Sequence, residues 1–186
     1  MEWIERQLKN GDVFHIKEYV IDGKLNEKKS SNNTIIHVRK IRQEKSSVVV
    51  FLTNNDDLIG YVECKIFENN QAELNVSEFM NIILDKQFGI IWNGAPAINT
   101  RMHYRRRHKA TILLIILFEY LKTKGIKTVN VDGINESAIN FYLSNGAEMI
   151  DDKKGVFEDI NLLLPNLYEK VGNQIDKNDS KILNKI

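Results

Sequence analysis

Residues 108–125, HKATILLIILFEYLKTKG, constrain this chain more than any other stretch. The spacing predicts a helix from His108 to Lys124. Lys122 and Lys124 lie near its electronegative C-terminal end, and Gly125 takes the left-handed position that stops it. Apolar side chains cover almost the whole circumference of its first half, so the helix must be buried on more than one side. The uncharged run from Ile112 to Phe118 is far short of the roughly 20 residues a bilayer span needs. A buried central helix of this kind requires layers around it. Ile126 to Val131 reads as a strand, and Asn135 or Glu136 opens a second helix that Gly146 closes. Strand, helix, strand, helix implies a parallel pair joined by a crossover.

Upstream the pattern is mainly strand-like. Ile35–Ile41, Val48–Leu52 and Leu58–Phe67 are β-branched and aromatic runs divided by the polar turns QEKS and NNDD, which predicts an antiparallel meander. Ala72–Val76 reads as a further short strand. Ser77 is placed to cap a helix running to Phe88, and Ala97–His103 is extended after the turn Gly94-Ala95-Pro96. Val156–Leu164 reads as a late strand. The expected class is α+β (mixed α/β), with one mixed, largely antiparallel sheet. A single domain is expected over residues 1–165, followed by a polar tail over 166–186, frayed or helical.

The formal net charge of +1 argues against a broad nucleic-acid surface and confines any basic patch to one place. The single cysteine, Cys64, excludes an internal disulfide framework and reads as a small buried hydrophobe. His15, His37, His103 and His108 are scattered and make no metal site, so no metal is expected. The N-terminus is charged from Glu2 onward and lacks the apolar segment of a secretory signal, which gives a cytoplasmic expectation.

The basic turn before the long helix reads Tyr104-Arg105-Arg106-Arg107-His108-Lys109-Ala110-Thr111-Ile112-Leu113-Leu114, and the second helix reads Asn135-Glu136-Ser137-Ala138-Ile139-Asn140-Phe141-Tyr142-Leu143-Ser144-Asn145-Gly146-Ala147. The pair resembles the acyl-CoA-dependent N-acyltransferases of the GNAT superfamily. Their phosphate loop runs Gln/Arg-x-x-Gly-x-Gly/Ala, and a later block runs Asn-x-x-Ala-x-x-Phe/Leu-Tyr-x-x-x-Gly-Phe. Arg105 and Ala110 fall on the ends of the loop motif, and His108 stands where the family has its middle Gly. Together the two blocks cover less than a third of the chain.

The resemblance implies acetyl-CoA or another acyl-CoA as co-substrate, with its diphosphate on the helix N-terminus. Unpaired amides and partial positive charge make such an end an anion site. Arg105, Arg106, Arg107, His108, Lys109, Ala110, Thr111 and Asn135 are the implied coenzyme-binding residues. The pantetheine arm would lie between splayed parallel strands, by position Ala97–His103 and Ile126–Val131. Tyr142 matches the family's general acid. A primary amine, with a pKa of roughly 10.4, is protonated at neutral pH and needs a base; Glu73, Glu78 and His103 are the candidates. The acceptor is an amine of a protein or small molecule. Family members are often dimers, so a homodimer is an admissible assembly, although no motif marks a contact surface. Two other functions fit the same residues: a catalytically silent binding module of this fold, and nucleic-acid docking through the RRRHK patch.

Overall fold

The computed structural model describes residues 2–20, 44–75, 98–105 and 107–175, with the side chain of His103 outside that set. Its strands are β1 (Ile4–Gln7), β2 (Val13–Val20), β3 (Glu44–Asn54), β4 (Asp57–Phe67), β5 (Ala72–Leu74), β6 (Ile98–Thr100), β7 (Val129–Val131), β8 (Glu148–Met149) and β9 (Gly155–Phe157). The helices are α1 (Lys109–Thr123), α2 (Glu136–Ser144) and α3 (Ile160–Val171). All the strands join one sheet in the order β1-β2-β3-β4-β5-β7-β9-β8, with β6 attached to β4. The β5–β7 ladder is parallel, and the other ladders are antiparallel. This is a mixed α/β fold around a single open, mostly antiparallel sheet.

Local chemistry explains the elements. Asn55 and Asp56 both take positive φ between β3 and β4, the geometry a two-residue hairpin turn demands. In α1 every residue from Thr111 to Leu121 is buried. The helix is sandwiched between β3–β4 of the sheet and α3. It ends in a Schellman motif. Ile126 N donates to Leu121 O at 3.1 Å and Gly125 N to Lys122 O at 3.0 Å, with Gly125 at φ +73°. The same motif closes α2 at Gly146, where Ala147 N donates to Tyr142 O.

Three expectations change. Val156–Leu164 is not a strand. β9 stops at Phe157, and the Asp159 side chain accepts from Asn161 N to cap α3. The buried positions Ile160, Leu164, Leu167, Tyr168 and Val171 recur at helical spacing, and the helix continues through Pro165. The hairpin β1–β2 was not anticipated. Thirdly, the parallel partner of β7 is β5, not the strand that precedes the basic turn. The expected strand Ile35–Ile41 and helix Ser77–Phe88 lie outside the described residues.

β5 and β6 lie end to end along β4. Leu74 pairs with Cys64, and Ile98 pairs with Val62, so only Glu63 lies between the two attachments on β4. Gly60 permits the return. A Cβ there would stand 2.9 Å from Thr100 Cγ2 and closer still to the Asn99 carbonyl. No helix of the described residues is long and apolar enough to cross a membrane.

Candidate active site

Beyond its ladder with β5, β7 leads through Gly133 into α2, while β6 stays on β4. A cleft of about 760 Å³ opens between them. One wall is β6, with Ile98, Asn99 and Thr100. The first turn of α1 and the basic turn form one end, and α2 supplies the other wall through Asn135, Ala138 and Phe141. None of the described residues lining the cleft is a carboxylate.

His108 is the N-cap of α1 and sits at φ 57°, ψ 14°, in the left-handed region. That conformation is the one for which glycine carries no steric cost, and histidine is among the few side chains tolerated there. Its side chain makes no capping bond. The first intrahelical bond recorded at this end runs from Ile112 N to His108 O at 2.9 Å. The amides of Lys109, Ala110 and Thr111 therefore precede the helical ladder, and all three residues line the cleft.

The basic side chains divide in their use. Arg105 lines the cleft and its Nε donates to Thr100 O at 3.5 Å. Arg107 is exposed and lies outside the lining, and Arg106 falls outside the described residues. Lys109 lines the cleft with its stem, but its ammonium is committed to Asp12 in a buried ion pair. Asp12 is held in turn by Asn10 Nδ2 at 2.9 Å and Asn54 Nδ2 at 3.1 Å. Thr111 Oγ1 donates to Asn145 Oδ1 at 3.1 Å, and Asn145 Nδ2 donates to Phe141 O at 2.7 Å. This buried strap ties the N-terminal end of α1 to the C-terminus of α2. Asn135 lines the cleft, with its Oδ1 occupied in capping α2 through Ser137 N at 2.8 Å.

Tyr142 is buried one layer behind the cleft wall. Ala138 and Asn145, on the same helical stripe, line the cleft, while the Tyr142 ring packs on Phe141 and Phe157 with centroids 5.3 and 6.4 Å away. Burial pushes its phenol up to about 12, so the hydroxyl keeps its proton at neutral pH. Of the base candidates, Glu73 lies on β5 outside the cleft lining, and its Oε1 accepts from Asn75 Nδ2 at 2.9 Å. Glu78 and the side chain of His103 lie outside the described residues.

Four residues at or beside the site escaped the sequence reading: Asn99, Asn145, Lys170 and Glu63. Lys170, from the last turn of α3, lines the cleft. Glu63 is fully buried opposite the strand break, and Ser47 Oγ donates to its Oε1 at 2.7 Å. A usable signal existed for Glu63 alone: the single acid of the largely apolar run LIGYVECKIF. Among the described residues no three His, Cys, Asp or Glu side chains come together as a metal site would require.

Among solved structures, this one is similar to PaiA N-acetyltransferase from Thermoplasma acidophilum in complex with coenzyme A, with 20% identity, 58% of this chain and 57% of that chain covered, and TM-score 0.40. It is also similar to a GNAT-family acetyltransferase from Staphylococcus aureus Mu50 (16% identity, 61% and 68% covered, TM-score 0.46). A cAMP-binding acyltransferase from Mycobacterium smegmatis aligns with 99% of this chain but 55% of its own length, at 11% identity and TM-score 0.48. No curated protein sequence matches. The acetyltransferase (GNAT) family matches residues 17–147. That match spans well over half of the 186 residues and includes the basic turn, α1 and α2, so the chain belongs to the acetyltransferase (GNAT) family.

Proposed function

We propose that this protein transfers an acyl group, most simply acetyl, from acyl-CoA to a primary amine of a protein or small molecule. One observation carries the reading: a cleft without lining carboxylates ends on the open first-turn amides of α1, where a diphosphate would be held. Arg105 and His108 border that end and supply further donors. The pantetheine arm would run into the gap between β6 and the start of α2.

In the reaction the amine nitrogen attacks the thioester carbonyl, the C–S bond breaks, and the coenzyme leaves as a thiolate that takes a proton. Tyr142 is our proton donor, supported by its stripe on α2 and by a phenol that remains protonated at neutral pH. The proton released by the amine leaves through water toward a carboxylate near the strand break, where Glu63 and Glu73 stand outside the cleft lining.

Calorimetry with acetyl-CoA tests the first half of the reading, and no heat at high micromolar coenzyme removes it. Tyr142→Phe tests the second. Turnover should fall on the order of 10²-fold while coenzyme affinity is spared. Full turnover in that variant takes Tyr142 out of the chemistry. Coenzyme binding with no transfer to any amine would instead favour a silent binding module.

A further inference from the structure

Acyl-CoA carries two separate anionic groups, the diphosphate and the 3′-phosphate of its ribose, and the α1 turn accounts for one of them. The cleft offers a second cation from an independent element. Lys170 stands in the last turn of α3, beyond the basic turn in sequence, and lines the same cleft. α3 packs along α1 and is fastened to it by the Tyr168 hydroxyl, which donates to Glu119 Oε1 at 3.2 Å. Leu163 packs against Gly146 at the end of α2. The helix carrying Lys170 is thus set by both helices that border the cleft.

Lys170 also differs in its pairing from Lys109, the other lysine that lines the cleft. The Lys109 ammonium is neutralised by Asp12. Among the described residues no carboxylate pairs with Lys170. An unpaired ammonium on the rim of a concave surface lined by no acid is a receptor for an anion. We propose that Lys170 binds the 3′-phosphate of the coenzyme and so selects the full nucleotide donor. This rests on the coenzyme reading above and deepens it. A carrier-protein phosphopantetheine, which has one phosphodiester and no 3′-phosphate, would gain nothing from Lys170.

The test compares CoA with dephospho-CoA, which differs only in lacking that phosphate, by calorimetry at one fixed, low ionic strength. Wild type should bind CoA about tenfold more tightly than dephospho-CoA, the scale of one charge-assisted contact on a partly exposed phosphate. Lys170→Ala should weaken CoA to the level of dephospho-CoA and leave dephospho-CoA unchanged, and Lys170→Arg should keep the preference. Lys170 is exposed, so an unaltered melting curve is expected to accompany these changes. Equal losses for both ligands, or no loss for either, overturn the assignment. So does a wild-type protein that binds the two equally well. A wild type that binds neither ligand overturns the coenzyme reading itself, and this inference with it.

Discussion

At its C-terminal end α1 meets Glu18 of β2. The Tyr120 hydroxyl donates to Glu18 Oε2 at 2.7 Å, Lys124 Nζ stands 2.9 Å from the same oxygen, and Ser46 Oγ donates to Oε1. At its N-terminal end the helix meets Asp12, just before β2, through Lys109. Strand and helix match in length: six residues of strand cover roughly 20 Å and fifteen of helix roughly 22 Å. Both ends can therefore be held by one strand. They differ in what remains open. Around Glu18 the carboxylate is surrounded by donors, and the Schellman motif satisfies the last carbonyls. Around Asp12 the side chains are paired, but the first-turn residues of α1 line the cleft and their amides precede the helical ladder. An identical anchoring device closes one end and leaves the other available for a ligand.

Breaking the closed end should have the largest effect. Glu18→Ala leaves the buried Tyr120 and Ser46 hydroxyls without their acceptor while the exposed Lys124 returns to water, and at roughly 1–3 kcal/mol for each stranded group the unfolding free energy in urea should fall by about 4 kcal/mol, with coenzyme affinity in the folded protein unchanged. A parallel loss of coenzyme affinity would show that the two ends are not independent. Glu18 also predicts an acid limb. Burial alone would raise its pKa, but the bonds from Ser46, Tyr120 and Lys124 and the charge of Lys124 outweigh burial and hold it below the ordinary 4.5. A carboxylate depressed on folding contributes stability that is complete above 4.5 and is lost as pH falls through its folded value. Denaturant titrations from neutral pH downward should show wild type losing this increment below 4.5, and Glu18→Gln lacking that loss.

At the open end Asp12→Asn should cost somewhat less, about 3 kcal/mol, because the amide still accepts a bond from Lys109. Unlike the Glu18 variants, it should also weaken acetyl-CoA binding several-fold by loosening the first turn of α1, read by the same calorimetry. Unchanged coenzyme affinity would mean that Asp12 anchors the fold alone. The smallest effect is expected at His108→Gly. Relief of a left-handed residue should be worth up to about 1 kcal/mol, partly offset by the entropy glycine adds to the unfolded chain. Removing the side chain should also let a phosphate approach more closely, with a modest gain in coenzyme affinity. A loss of affinity would identify the imidazole as a ligand donor in its own right.

What could be read in advance followed local chemistry. The apolar run, its terminal lysines and Gly125 announced α1, and NNDD announced the β3–β4 turn. Strand β2 went unnoticed because Glu18 puts an acid on the buried face of its alternation, and Glu18 points inward only because a helix more than a hundred residues later brings Tyr120 to it. The Leu162-Leu163-Leu164-Pro165 run resembled the end of a strand, whereas Asp159 and the spacing of the buried positions make it a helix. At the site the basic turn was legible, but the division of labour among its cations was not. The partner of Lys109 lies 97 positions away, and Lys170 reaches the cleft only through the packing of α3 on α1.

The interruption beside Glu63 has a consequence for how this fold can diversify. Because Cys64 and Val62 hold the departing and returning strands in adjacent registers, whatever joins Leu74 to Ile98 can lengthen or shorten without moving any pair of the sheet. Doubling the length of such a connection adds only about 0.6 kcal/mol of closure entropy. The seam is a grafting point beside β6, where new surfaces can be exchanged while the sheet behind them stays still.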